Sequence, residues 1–322
     1  MMTPTVAVNI VTYNSGVTIL ACLDSVFAQD FRDFTITVLD NSSTDGTPDL
    51  LRAIPQITLI AQNENLGYAA AHNLLIARTT GRYILTLNPD VTLDHAYLGA
   101  MVQMLDAHPD VGSAAGCLLR VNSLNDPPTE IDSTGLFMRR NRRQGLRDEQ
   151  RPIAQAPTGI TPIFGPDGAA AFYCRAMLDD IAIGGEVFDS AFFMHKEDVD
   201  VCWRAQLRGW ESIYVPHAIA RHIRGFRPGQ RTRVDSTLRF YSVRNRYLLM
   251  IKNDRGDHVL HDLLPILIYD IGILGYLLLF ERASLRAYNS VWKLRREMLT
   301  KRRTIQRTVR VTSTALHRWF MG

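Results

Sequence analysis

What most constrains this 322-residue chain is an alternation that fills its first ninety residues: a short apolar, β-rich run, a polar turn, then a helical pattern. The run Thr5-Val-Ala-Val-Asn-Ile-Val-Thr12 predicts a strand stopped by Tyr13-Asn14-Ser15-Gly16, after which Val17, Leu20, Ala21, Asp24 and Phe27 predict a helix. Phe34 to Leu39 predicts a second strand ending at Asp40-Asn-Ser-Ser-Thr-Asp-Gly46, and Ile57 to Ile60 a third before Asn63-Glu-Asn-Leu-Gly67. A helix over 68–78 leads into a strand over 82–87, which ends at Asn88-Pro89-Asp90. Strands that alternate with helices imply a mainly parallel sheet covered on both faces.

In such sheets ligands collect beyond the carboxyl ends of the strands, where loops present side chains without disturbing the core. Thr12, Asp40 and Asp90 all fall at predicted strand ends. Singly, each has a structural explanation; Asp40 could be a turn residue bonded to its own backbone. Three at one edge favour a binding edge. A second acidic group, Glu197, Asp198 and Asp200, opens a segment in which Val199, Trp203 and Leu207 recur every four residues. This predicts an amphipathic helix with acids at its N-terminus, where they also complement the helix dipole.

The length suits one large α/β domain with an appendage. Cys22, Cys117, Cys174 and Cys202 are scattered without metal or disulfide spacing, which suits thiols in a reducing compartment. The first residues lack the basic and apolar regions of a secretory signal, so none is expected. Net charge is uneven: residues 282–322 hold 11 Lys and Arg against Glu297, leaving 25 bases and 31 acids before them. A basic tail on an acidic body suits an anionic membrane surface or a nucleic acid. The 18-residue run Leu263 to Phe280 is mostly apolar but is interrupted by Pro265, Asp270 and two glycines. It predicts a helix lying in or against a bilayer surface, or packed on the catalytic domain, rather than a span. Residues 120–165 show little pattern and read as a loop or irregular hairpin; the cluster Arg139-Arg140-Asn141-Arg142-Arg143 reads as a solvated charge run before it reads as a phosphate contact. The small residues of Gly165-Pro-Asp-Gly-Ala-Ala-Ala-Phe-Tyr-Cys174 would let backbone approach a ligand closely, or serve tight packing.

Six motifs in order then resemble one family. Val11-Thr-Tyr-Asn14, Leu39-Asp-Asn-Ser-Ser-Thr-Asp-Gly-Thr47, Asn63-Glu-Asn-Leu-Gly-Tyr-Ala-Ala-Ala-His-Asn73, Asn88-Pro-Asp-Val91, Gly168-Ala-Ala-Ala-Phe172 and Glu197-Asp-Val-Asp-Val-Cys-Trp-Arg204, with His222, are similar to family-two glycosyltransferases of the GT-A fold, in particular the bacterial rhamnosyltransferase-like branch. The resemblance spans roughly residues 5–250. The apolar and then basic pattern of residues 241–322 predicts a helical, membrane-associating extension; the resemblance implies an α/β GT-A sheet, mainly parallel and flanked by helices, over residues 1–240. It also implies that Thr12, Tyr13 and Asp40 line the nucleotide pocket, that Asn65 and Gly67 border the nucleotide, and that Asp90 and His222 hold Mg2+ or Mn2+. Asp198 would be the catalytic base, with Glu197 tuning it or meeting the acceptor, and Asp200 would be structural.

The chemistry agrees with that assignment. Expelling a nucleoside diphosphate needs its charge neutralised, which a divalent ion on hard oxygen ligands does as a Lewis acid. Inversion needs a base on the opposite face of the sugar, a task for a carboxylate. Two departures stand out. Asn88 replaces the first acid of the family's Asp-x-Asp, and no Gln-x-x-Arg-Trp of processive synthases follows; Arg239-Phe-Tyr-Ser-Val-Arg-Asn-Arg-Tyr247 stands there instead, favouring one sugar per encounter. His195 and His217 read as ordinary hydrogen-bonded residues rather than ligands.

The expected function is inverting transfer of a sugar, rhamnose first, from a donor such as dTDP-rhamnose or a UDP-sugar to a cell-surface or lipid-linked glycan. Its expected place is the cytoplasmic side of the plasma membrane, held peripherally on anionic lipid. A UDP-hexose transferase of the same fold is the alternative, and a catalytically silent nucleotide- or glycan-binding relative is a second. Retention of Asp90 and Asp198 argues against silence. Nucleic acid is not an expected partner, since the acidic body would repel phosphate backbones.

Overall fold

The computed structural model describes residues 3–124, 126–225, 229 and 231–321. In chain order the elements are β1 (Val6–Thr12), α1 (Ile19–Phe27), β2 (Phe34–Asp40), α2 (Thr47–Arg52), β3 (Thr58–Ala61), α3 (Gly67–Arg78), β4 (Tyr83–Leu87), β5 (Val91–Leu93) and α4 (Tyr97–Ala107). There follow β6 (Val111–Arg120), β7 (Glu130–Ser133), β8 (Leu136–Arg139), β9 (Gln144–Leu146), β10 (Thr161–Pro162), β11 (Ala170–Cys174), α5 (Arg175–Ile181), α6 (Glu197–Arg208) and β12 (Glu211–His222). The chain closes with α7 (Ser236–Asn253), α8 (Gly256–His261), α9 (Leu263–Phe280), α10 (Arg286–Arg307), α11 (Ser313–His317) and β13 (Phe320–Met321).

The expected strands and helices of the first ninety residues form within one or two residues of their predicted ends. One sheet runs β10-β12-β6-β11-β4-β1-β2-β3, with β5 on β12 and β7 on β6. Its β4-β1-β2-β3 half is parallel, as alternation with helices requires. The other half is mixed, because β11 runs antiparallel between β4 and β6 and β5 antiparallel to β12. Strand β1 is buried at all seven positions, which explains its continuous apolar run.

Helix α6 departs from the amphipathic expectation: ten of its residues, including Asp200, Arg204 and Gln206, are buried. Val201 and Ala205 pack with Ala69, Tyr173 and Met177 on the sheet side. Val199, Trp203 and Leu207 pack on the other side with Leu248, Met298, Ile305, Leu316 and Phe320. The C-terminal helices therefore complete the core around α6. The boundary expected at residue 240 falls inside α7.

Only the ends of the Arg139–Arg143 cluster, Arg139 and Arg143, are solvated as expected. Residues 136–146 form the β8/β9 hairpin, and β13 adds beside β8. Arg142 is buried, donating to Asp254 Oδ2 and Asp262 Oδ2 at 2.7 Å each. Arg140 Nε donates to Asp262 Oδ1 at 2.7 Å. Local sequence shows five exposed-looking polar residues; the carboxylates that draw two of them inward lie more than a hundred residues away.

Helix α9 keeps only 11% of its 18 residues buried, with mean hydropathy 2.2. Its inner face holds Leu277 against Val243 and Ala287, and Asp270 Oδ1 accepts from Arg246 at 2.5 Å. Every exposed position over 263–280 is Leu, Ile, Phe or Gly.

Removing the Arg142 guanidinium leaves the buried Asp254 without its arginine partner, a loss of about 3–5 kcal/mol for a broken buried pair, while Asp262 keeps Arg140. Arg142→Met should therefore lower the unfolding free energy extrapolated from a urea denaturation curve by that amount, whereas Arg143→Met, at the exposed neighbour, should leave it within about 0.5 kcal/mol.

Candidate active site

Strand register builds the site at the carboxyl edge of the sheet. Thr12 on β1 pairs with Asp40 on β2, and both are buried. Asp40 Oδ2 accepts from the Ser43 amide at 3.2 Å. Among the described residues Thr12 Oγ1 and Asp40 Oδ1 have no hydrogen-bond partner, an arrangement that costs free energy unless a ligand supplies one. Tyr13 beside them is 51% exposed. The two loops are laced together: the Asn14 amide donates to Ser43 Oγ, and Asn14 Oδ1 accepts from the Thr44 amide, each at 2.8 Å.

Asn41, which the sequence reading passed over, shapes the third loop. Its Nδ2 donates to Asn65 Oδ1 at 2.9 Å and its Oδ1 accepts from the Leu66 amide at 2.8 Å. Asn65 Oδ1 also accepts from the Gly67 amide at 2.9 Å. That oxygen is thus spent within the loop. Gly67 has φ +79°, and a Cβ there would come within 2.5 Å of the Phe193 ring, so the position needs glycine.

Strand β5 brings Asp90 and His222 together. Val91 is the register partner of His222 on β12, and the Ile223 amide donates to the Asp90 carbonyl at 3.1 Å. His222 Nε2 stands 3.6 Å from Asp90 Oδ1, an oxygen without a hydrogen-bond partner among the described residues. Nδ1 of His222 lies 2.8 Å from Asp132 Oδ2. Asp132 is fully buried and also accepts from Arg224 Nε at 2.9 Å, while Arg224 reaches on to Asp167. Burial disfavours the imidazolium, but the hydrogen bond to Asp132 and the nearby Asp90 carboxylate outweigh it and raise His222 to about 9. A histidine oriented by a carboxylate, facing a free carboxylate oxygen, is a donor set that fits a divalent cation. Asp132 was missed because it lies in the stretch that carries no sequence pattern. His217 sits exposed on a bulged part of β12 and His195 lies half-buried before α6; neither joins the pair.

Asp198 reaches the same edge through Gly168. Its Oδ2 accepts from the Gly168 amide at 3.0 Å and its Oδ1 from the Val199 amide at 2.7 Å. A Cβ at Gly168 would come within 3.2 Å of Asp198 Cβ. The next residue, Ala169, accepts from the Asn88 amide at 2.9 Å, two residues before Asp90. Burial and then the Asp167 charge raise Asp198 to about 6. Burial and the adjacent Asp198 push Glu197 well above the carboxylate range. The two acids thus stand in different environments, the arrangement by which paired carboxyls take different roles. Burial also raises Asp200, yet Arg204 and Lys252 outweigh it and bring it to about 2. Its Oδ2 accepts from Arg204 Nε at 3.0 Å and Lys252 Nζ at 2.8 Å, and its Oδ1 from Asn253 Nδ2 at 2.8 Å. Asp200 is a structural anchor of α6, as expected.

The loop into α6 is unusual. Phe193 (φ 62°, ψ −62°) centres a classic γ-turn closed by the Met194 amide on the Phe192 carbonyl at 2.7 Å. His195 (φ 71°) and Lys196 (φ 75°) follow in the left-handed region. Burial and Arg246 lower Lys196 to about 7.

The unpartnered oxygens of Thr12 and Asp40, the Asp90–His222 pair and Asp198 at the start of α6 gather at the carboxyl edge of the sheet. Residues 7–165 match the sequence model of Glycosyl transferase family 2. That match covers just under half of the chain and, with the relatives and folds below, supports a family 2 glycosyltransferase. It is 28% identical over 258 residues to the N-acetylglucosaminyl-diphospho-decaprenol L-rhamnosyltransferase of Mycobacterium tuberculosis, covering 71% of this chain and 79% of that one. Its fold is similar to that of GalNAc-T7, solved with UDP, GalNAc and Mn2+ (TM-score 0.61, 13% identity, 78% of this chain and 48% of that one). It is similar too to the mannosyltransferase PcManGT of Pyrobaculum calidifontis, solved with GDP-Man and Mn2+ (TM-score 0.55, 19% identity, 95% and 86%).

Because Asp132 is the main group holding the proton on His222, Asp132→Asn should lower the His222 pKa from about 9 by one unit or more in metal-free protein. A proton NMR titration of the imidazole checks this; an unchanged midpoint would show that Asp90 alone sets it.

Proposed function

We propose that this glycosyltransferase moves rhamnose, with inversion, from a nucleoside-diphosphate donor such as dTDP-rhamnose to a hydroxyl of a lipid-linked glycan. The observation that carries the reading is the Asp198 carboxyl, held by the Gly168 amide, at the edge where Asp90 and His222 meet. Kinship over 79% of a rhamnosyltransferase named for a diphospho-decaprenol acceptor supports the donor sugar and acceptor class. The Mn2+ and nucleotide-sugar ligands of similar folds support a metal-assisted donor site.

In this reading Asp40 and Thr12 offer their unpartnered oxygens to the nucleoside, and Tyr13 covers it. Asp90 and His222 hold a Mg2+ or Mn2+ ion, which when bound supplies Lewis-acid neutralisation of the departing diphosphate. Asp198 accepts the proton of the acceptor hydroxyl as its oxygen bonds to the anomeric carbon and the bond from that carbon to the diphosphate breaks. A positioned general base contributes about 10²–10⁴-fold. Glu197, whose pKa burial and the adjacent Asp198 push up, stands beside the base to meet the acceptor.

The exposed apolar face of α9 and the cations of 282–310 support peripheral attachment at the cytoplasmic face of the plasma membrane, where a lipid-linked acceptor lies. Asp270, tied to Arg246, keeps α9 on the protein and so in the plane of the surface.

The catalytic test is direct. Asp198→Asn should lose about 10²-fold or more in kcat while retaining donor binding by thermal shift with Mn2+, and wild-type kcat should fall below pH of about 6 as Asp198 protonates. Near-normal turnover in the variant would remove the proposed base.

For attachment, Ile268→Glu with Ile271→Glu, at positions 64% and 69% exposed, should abolish sedimentation with phosphatidylglycerol vesicles at unchanged Tm. Undiminished sedimentation would reject α9 as the contact.

A further inference from the structure

The segment over 239–247 enters the sequence reading only as the stretch that replaces a processive signature. In the structure it lies on α7, and its side chains reach the loop that launches the acidic helix. Asn245 is fully buried, and its Nδ2 lies 3.1 Å from the Phe192 carbonyl, 2.9 Å from that of Met194 and 2.6 Å from that of His195. Arg244 Nη2 donates to the Ala191 carbonyl at 2.6 Å and the Phe192 carbonyl at 2.8 Å. Tyr241 stacks on Phe193 with ring centroids 5.4 Å apart and planes at 15°, and the Arg244 guanidinium lies 4.5 Å from the Tyr241 ring.

These contacts converge on backbone that does not hold its own shape. A classic γ-turn at Phe193 and left-handed φ at His195 and Lys196 are conformations that L side chains seldom adopt, and they persist only where the surroundings over-determine them. The turn points four carbonyls, those of residues 191, 192, 194 and 195, at one helix, and α7 answers with an amide and a guanidinium. Asp198 lies two residues beyond the last left-handed residue, so its direction is set by where the loop delivers the first turn of α6. The Phe193 carbonyl also accepts from the Ala69 amide at 3.2 Å on α3, and the Phe193 ring fills the space beside Gly67. One strained turn therefore touches the nucleotide-side helix and the start of the acidic helix together.

We propose that Arg244 and Asn245 are positioning residues for sugar transfer: they clamp the Phe193 turn so that Asp198 faces the reaction edge. This assignment rests on the reading of Asp198 as the base. It does not place either residue against a substrate.

The test compares Asn245→Ala with Leu277→Ala, which opens the buried contact between α9 and α7 without touching the loop. Hydrogen exchange of peptides covering residues 189–198 reads the clamp, and turnover of dTDP-rhamnose with a polyprenyl-diphosphate-linked N-acetylglucosamine acceptor reads its consequence. Asn245→Ala should lose protection in that peptide and lose on the order of 10- to 100-fold in kcat, with donor KM within about threefold, as expected when a reacting group is misplaced. Leu277→Ala should lower Tm yet keep loop protection and kcat within about twofold. Equal effects from the two variants, or unchanged exchange in Asn245→Ala, would overturn the proposal. If Asn245→Ala does not fold, Arg244→Lys, which keeps the charge but loses the fork, faces the same comparison. Absence of turnover in the wild-type protein would count against the donor and acceptor assigned above, while the exchange arm would still decide the clamp.

Discussion

The burial of Asp200 inside a helix covered on both sides is the constraint on which the rest of the structure depends. A carboxylate taken out of water is tolerated only with compensating charge and hydrogen bonds. Asp200 has Arg204 from its own helix and Lys252 and Asn253 from α7. Arg204 spends its other nitrogens on the carbonyls of Ile181 and Val187, and Lys252 also meets Asp189, which Lys301 of α10 reaches at 2.6 Å. Four segments are thus fixed to one acid. The cost of this network purchases a single orientation for α6, and with it for Asp198 two residues earlier.

The same logic of shared charge links the two halves of the reaction edge. Asp132 stands between His222 and Arg224, and Arg224 continues to Asp167, whose charge is the second cause of the raised Asp198 pKa after burial. The metal-side histidine and the proposed base are therefore not electrostatically independent. A cation held by Asp90 and His222 as proposed would compete with the proton that Asp132 favours on the imidazole, so affinity for the ion would rise with pH until that proton is gone.

Much of this was legible because it is local. The parallel strands, their polar ends and the acidic helix all follow from periodicities of two and 3.6 residues and from turn chemistry. What was hidden depends on partners distant in the chain. Arg142 looks like a member of a solvated cluster until Asp254 and Asp262 are placed beside it. Asp132 has no local pattern because its task is set by His222, ninety residues on. The pair Arg244-Asn245 sits on a helix with little amphipathic contrast, since its polar residues point inward at backbone carbonyls rather than outward at water. Hydrophobic periodicity cannot report a buried polar face.

This also changes how the basic tail is to be understood. Composition sets residues 282–322 apart from the acidic body, and a detachable membrane anchor is the simplest picture of such a segment. Yet Met298, Ile305, Leu316 and Phe320 are buried in the cluster that holds Trp203 of α6. Truncation before α10 would expose that cluster and withdraw Lys301 from Asp189. Its effect on activity would therefore say nothing about a membrane. The outward faces of α9 and α10 are separable from the inward ones only by single side chains: Ile268 and Ile271 point away from the fold, while Leu277 and Asp270 on the same helix hold it in place. The proposed attachment face and the packing face share helices but not surfaces, and substitutions that respect that division are the means of telling attachment from folding.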